Sequence, residues 1–137
     1  MLKDFEINIR IKLSILWTAV TFFYLYGDYF ELYVPQKVDG LLTGDNLLDD
    51  PNKLFLASLL LAIPAAMVLL SILLKPIWSK RLNIGFGLFF TVIMLLIAIT
   101  SISPWRAFYV FYAIIESIIT SAIVWNALKW PKLENRK

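Results

Sequence analysis

The sequence predicts an all-α protein: a four-transmembrane-helix antiparallel bundle forming one integral membrane domain over residues 1–137. Three observations carry this expectation. Hydrophobic residues make up 60% of the chain and charged residues 17%, a balance too apolar for an ordinary soluble domain. The apolar residues gather into four long stretches, each with the roughly 20 residues needed to cross a ~30 Å hydrocarbon core. Lys and Arg are shared very unevenly among the connections, as the orientation of a membrane protein requires.

The first span covers about residues 11–34 and stops at Pro35. It is expected to stay in the mature protein, because it is too long for a signal-peptide core and no small-x-small cleavage site follows it. The second span covers residues 53–74, and Asp50-Pro51 ahead of it reads as an N-cap with proline at the first helical position. The third covers residues 83–103. Ser103-Pro104 repeats the cap-and-proline signal and opens the fourth, residues 104–130, which Pro131 stops. The third and fourth spans are so closely joined that they form a hairpin. The connection over residues 35–52 is longer. With Leu41, Leu42, Leu47 and Leu48 it has the character of a short amphipathic segment on the membrane surface.

One set of connections holds Lys3, Arg10, Lys12, Lys75, Lys80, Arg81, Lys129, Lys132, Arg136 and Lys137. The other set holds only Lys37, Lys53 and Arg106. Both termini are therefore expected on the cytoplasmic side of the plasma (inner) membrane. The same asymmetry accounts for the basic pI of 9.2, so nucleic acid is not an expected partner. The chain has no cysteine and no histidine. Thiol redox chemistry, thiolate metal sites and the commonest general base are thereby excluded. No cofactor and no metal are expected.

Carboxylates inside the apolar stretches are the main functional signal, since an ionisable group at a membrane helix centre costs about 2.5–3.5 kcal/mol on insertion scales. In the first span Ser14, Trp17, Thr21, Tyr24, Asp28 and Glu31 follow a spacing of 3-4-3-4-3 and form one stripe. The last span carries Tyr109, Tyr112, Glu116 and Thr120 in a matching stripe. At ~1.5 Å per residue, Asp28 lies about 9 Å below the outer end, Tyr112 about 12 Å, Tyr24 about 15 Å and Glu116 about 18 Å. The first and last spans are neighbours in a closed up-down bundle. The ligand- or proton-binding candidates are therefore Asp28, Glu116, Tyr24, Tyr109, Tyr112 and Glu31, with Arg106 as ion-pair candidate for Glu31. Asp28 is expected near Tyr109 or Tyr112. Glu116, without a cation at its depth, is expected uncharged and hydrogen-bonded to Tyr24 or a nearby hydroxyl. Packing glue is the bland reading of the same stripes, because Ser, Thr and Tyr commonly bond between membrane helices.

Pro64 near the middle of the second span removes one backbone donor and frees the Leu60 carbonyl. The acidic loop string from Gly44 to Asp50 lacks EF-hand spacing. No Walker loop, zincin motif or nucleophile elbow is present.

The segments Leu13-Ser14-Ile15-Leu16-Trp17, Tyr24-Leu25-Tyr26-Gly27-Asp28, Ile63-Pro64-Ala65-Ala66-Met67, Ile115-Glu116 and Ile123-Val124-Trp125 give the chain its resemblance to an uncharacterised family of small bacterial four-helix membrane proteins. The resemblance covers nearly the whole chain. The family pattern has Glu before the Ile-Pro of the second span, where Ala62 stands here. It implies the same topology and supplies no activity.

The function expected is binding of a small amphipathic, cationic or lipid-like molecule in an acidic and aromatic cavity between the first and last spans, with proton-coupled transport as an optional extension of that reading. An accessory membrane subunit that uses the acids as interhelical glue is the alternative. A membrane isomerase acting on a lipid through two carboxyls is the lesser alternative, and no catalytic motif supports it. Expected partners are the lipid bilayer, the amphipathic ligand, and either a second copy or a larger membrane protein.

Overall fold

The computed structural model describes residues 1–133. Arg136 and Lys137, two of the basic residues counted above, lie outside the described residues. The described chain is helical throughout: α1 (Ile9–Glu31), α2 (Lys37–Thr43), α3 (Pro51–Leu73), α4 (Pro76–Thr100), a single 3₁₀ turn (Pro104–Arg106) and α5 (Ala107–Leu128). By length and composition, the spans within α1, α3, α4 and the turn-plus-α5 segment are each able to cross a membrane. This is consistent with a multi-pass membrane protein.

Local chemistry sets the helix ends. The Asn8 side chain accepts from the Arg10 amide at 2.9 Å and starts α1. Asp50 Oδ1 accepts from the Asn52 amide at 2.6 Å, with Pro51 at the first helical position of α3. Pro76 does the same service for α4 after an extended Leu74. The third long helix thus begins at Pro76, ahead of the residue-83 start read from the sequence, and it takes in the basic Lys80-Arg81 pair. The linker helix α2 is bounded by left-handed residues, Gln36 (φ 68°) and Gly44 (φ 80°).

Cross-helix pairs fix the directions. Arg10 Nη1 donates to the Ile72 carbonyl at 3.1 Å and Ser14 Oγ to the Val68 carbonyl at 2.8 Å. As α1 advances its partners on α3 recede, so the two are antiparallel. Thr91 and Thr120 hydroxyls meet at 2.6 Å, and the Gly87 backbone lies against Val124, which makes α4 and α5 antiparallel as well. Gly27 packs under the Tyr109 and Tyr112 rings and joins α1 to α5. The centre holds Trp17, Met67, Phe90 and Ile123, one residue from each long helix. The outer faces of all four are apolar, including exposed Ile15, Leu69, Val92 and Ile118. Such a surface suits hydrocarbon and not water.

A buried polar knot ties α1, α3 and α4 near the end of the assembly that carries the N-terminus. Trp17 Nε1 donates to Asn83 Oδ1 at 2.7 Å, and Asn83 Nδ2 donates to the Ser79 carbonyl at 2.8 Å and to Ser71 Oγ at 3.2 Å. Ser79 Oγ donates to the Ser71 carbonyl at 3.1 Å. Away from this knot α3 and α4 diverge, and they are the most sparsely packed pair of neighbouring long helices. The buried residues of α3 are Pro64, Met67 and Ser71, with none before the proline. The first half of α3 is therefore packed less deeply, touching the core through half-buried Leu60 and Ile63, and the change falls at the proline, which removes a backbone hydrogen bond.

Candidate functional site

The divergence of α3 leaves a cavity of about 200 Å³ beside the core. All four long helices line it. Tyr24, Gly27 and Asp28 come from α1; Ala57, Leu60 and Leu61 from α3; Phe90, Ile93, Met94 and Ile97 from α4; Tyr109 and Glu116 from α5. It is mainly apolar, with two carboxyls and two phenols as its polar groups.

Helix geometry explains the convergence. Tyr24 and Gly27 belong to the buried face of α1, and Glu116 belongs to the buried face of α5. Gly27 has no side chain, so the Tyr109 ring approaches to within 3.8 Å of where a β-carbon would stand. Tyr24 leans on Phe90 with ring centroids 5.9 Å apart, and Phe90 meets Trp17 edge-on at 6.1 Å. The cavity floor is thus held by the aromatic core.

Glu116 is 5% exposed and Tyr24 is 8% exposed. The Tyr24 hydroxyl is buried without a hydrogen-bond partner. Among the described residues, no group hydrogen-bonds the Asp28 or Glu116 carboxyl, and no cation forms an ion pair with either. The expected Glu116–Tyr24 hydrogen bond is therefore not made, although both residues face the same space. The Glu116 backbone carbonyl, by contrast, accepts from Thr120 Oγ1 at 3.0 Å. Asp28 is more exposed than Glu116 and stands at the rim.

The remaining candidates lie elsewhere. Tyr112 packs edge-on against Phe23 and Phe108, with centroids 5.4 and 6.3 Å apart. It lines a separate surface depression with Phe30, Trp105 and Phe108. Glu31 is held by Arg106 Nη2 at 2.7 Å and by Lys37 Nζ at 3.7 Å. That node joins the end of α1 to the start of α2 and to the turn before α5, and it does not line the cavity. The sequence pointed to Arg106 and missed Lys37. It also missed Gly27, Phe90, Met94 and the three α3 residues, whose apolar character carries no functional signal.

A larger depression, about 650 Å³, lies between the start of α1 and the end of α5 and includes Lys12, Lys129 and Trp130. It is an open groove that neither Asp28 nor Glu116 lines. Among the described residues, no three acidic side chains converge to hold a metal ion.

A family profile matches residues 2–136. The chain belongs to DUF6326, a family of unknown function. The matched region takes in the cavity, the Glu31 node and the Asn83 knot, so all three fall within the DUF6326 domain. No curated protein and no solved structure shows detectable similarity to the chain.

Proposed function

We propose that the protein is a plasma-membrane protein with both termini cytoplasmic, which binds a small amphipathic cation in the cavity bounded by Asp28, Glu116, Tyr24 and Tyr109. The observation that carries this reading is the set of partnerless polar groups in an apolar surround. The Tyr24 hydroxyl is buried and unbonded, and the Asp28 and Glu116 carboxyls border the same space. A buried polar group without a partner costs about 1–3 kcal/mol. A ligand that supplies a positive charge and N–H donors offsets that cost at the Tyr24 hydroxyl and meets both carboxyls. The aromatic faces of Phe90, Tyr24 and Tyr109 add cation–π attraction.

This arrangement favours ligand binding over the accessory-subunit reading. Acids serving as interhelical glue would be bonded between helices, as Thr91 and Thr120 are. Proton coupling follows naturally, because a bound ammonium and a bound proton compete for the same carboxyl oxygens.

The test uses purified protein in nanodiscs of zwitterionic lipid, with benzylammonium as the probe. Calorimetry should give saturable binding at one site per chain. Glu116→Gln should weaken it about tenfold or more, as expected when a charge-assisted bond of about 1.5–3 kcal/mol is lost. Absence of saturable binding to the unaltered protein would overturn the proposal.

A further inference from the structure

The cavity takes a small amphipathic cation and is too small for a long-chain amphiphile. At about 200 Å³ it exceeds the ~150 Å³ cavity that accepts benzene and falls below the ~300 Å³ at which sites for drug-sized ligands begin. A charged head with a few carbons fits, and anything longer must leave the cavity. The adjacent apolar space is the groove between α3 and α4. It measures about 350 Å³ and is lined by Leu60, Ile63, Leu82, Gly85, Phe86 and Phe89. Leu60 borders both spaces. Gly85 and Phe89 are exposed on the outer surface, where the hydrocarbon would lie.

Gly85 keeps the groove open. A β-carbon at that position would meet nothing within 4 Å, so no packing requirement within the chain explains the missing side chain. The groove runs from Phe89 to Arg81, eight residues along α4, or about 12 Å. Arg81 closes the far end with its guanidinium 5.7 Å from the Trp78 ring centroid. That end is cationic and repels a second positive charge, whereas the cavity end presents Asp28 and Glu116. The space is therefore polarised: one end takes a cationic head, and the length between takes an uncharged tail.

We infer that the occupant is a single-chain ammonium amphiphile, its head in the cavity at Asp28 and Glu116 and its tail in the α3–α4 groove, reached from the hydrocarbon side. This rests on the cavity reading above and adds the ligand's shape and its route. A tail gains little free energy on moving from lipid to an apolar protein groove, since lipid chains are as apolar as leucine. The groove therefore selects by shape and position, and the carboxyls supply the attraction.

The experiment compares decylammonium, benzylammonium and decanol against the protein in zwitterionic nanodiscs, with Gly85→Trp and Gly85→Ala variants. A tryptophan here fills the groove and leaves the cavity untouched. The expected result is saturable binding of both ammoniums and none of decanol. Gly85→Trp should weaken decylammonium about tenfold, the scale of an overpacking penalty, and leave benzylammonium unchanged. Retained benzylammonium binding shows that the variant is folded. Gly85→Ala should bind both as the unaltered protein does. Equal decylammonium affinity in Gly85→Trp and the unaltered protein overturns the groove. Decanol binding as tight as decylammonium overturns the ammonium head. Failure of both ammoniums to bind the unaltered protein overturns the cavity reading itself and so is distinct from either.

Discussion

Replacing Asn83 with leucine should be among the most damaging single changes in this chain. The side chain is fully buried and has the branching and heavy-atom count of leucine, so the substitution removes polarity and keeps the shape, with bulkier methyl ends. Two bonds between helices disappear, Trp17 Nε1 to Asn83 Oδ1 at 2.7 Å and Asn83 Nδ2 to Ser71 Oγ at 3.2 Å, and with them the bond within α4 from Nδ2 to the Ser79 carbonyl. Bonds between membrane helices average about 0.6 kcal/mol and reach about 1.7. The Trp17 indole N–H is then left buried without an acceptor, which costs a further 1–3 kcal/mol or so. Together these give a loss of about 2–4 kcal/mol. Reversible unfolding in bicelles, followed by steric trapping, measures it. Trp17→Phe and the double variant complete a cycle, and the coupling energy should be about 1 kcal/mol. A loss below about 0.5 kcal/mol, or a coupling of zero, would refute the assignment of Asn83 as the pin between α1, α3 and α4.

Orientation can be tested without background, because the chain has no cysteine: with an impermeant thiol reagent on whole cells, Thr43→Cys should label and Lys75→Cys should not, and the reverse would invert the topology. Both positions are exposed, unlike fully buried Ser79. Gly87→Ala should destabilise by about 1–3 kcal/mol, because the added carbon would sit 2.7 Å from Val124 Cγ2 on a side chain with little χ1 freedom. Gly85→Ala should instead be neutral or stabilising by up to about 1 kcal/mol, and the two thermal melts side by side decide. Arg106→Gln should cost about 1 kcal/mol, a partly exposed bridge whose Glu31 keeps Lys37. The exchanged pair Glu31→Arg with Arg106→Glu should recover part of that loss, and a double variant no better than either single one would show that the pairing contributes nothing.

The span count and the helix punctuation at Pro51 and Pro104 were legible because apolar length and proline act locally. The start of α4 was not. The basic run Lys80-Arg81 looks like a loop, yet Pro76 carries the same signal as Pro51, and one-sided charge is compatible with a helix end at the membrane surface. The stripe on α1 was legible in part. Its alternating 3-4 spacing is a heptad repeat, and a straight helix drifts about 20° per heptad against that repeat. By Thr21 and Asp28 the polar line has turned toward α3, leaving Val20 and Gly27 on the buried face. Thr21 then satisfies itself on the Trp17 carbonyl at 2.7 Å. The Asn83 knot was missed because Trp17 and Asn83 lie 66 residues apart. A lone asparagine in an apolar helix was the available hint. The cavity was legible only by its acids, since nothing in Ala57, Leu60 or Leu61 separates a cavity wall from a lipid-facing surface.

The lopsided burial of α3 has a consequence for how the molecule breathes. Its second half is anchored by fully buried Met67 and Ser71, whereas its first half reaches the core through half-buried Leu60 and Ile63. Backbone amides in the two halves should therefore exchange with solvent deuterium through different openings. Those near Ser71 should be released only by global unfolding, and those between Pro51 and Pro64 by a local excursion of far lower free energy. The missing amide of Pro64 divides the two regimes, because the backbone bond that would have carried an opening across it does not exist. Transient widening beside the acids is then independent of the protein's overall stability. A variant could be made more resistant to unfolding at the Asn83 end without slowing exchange of whatever occupies the space beneath the first half of α3.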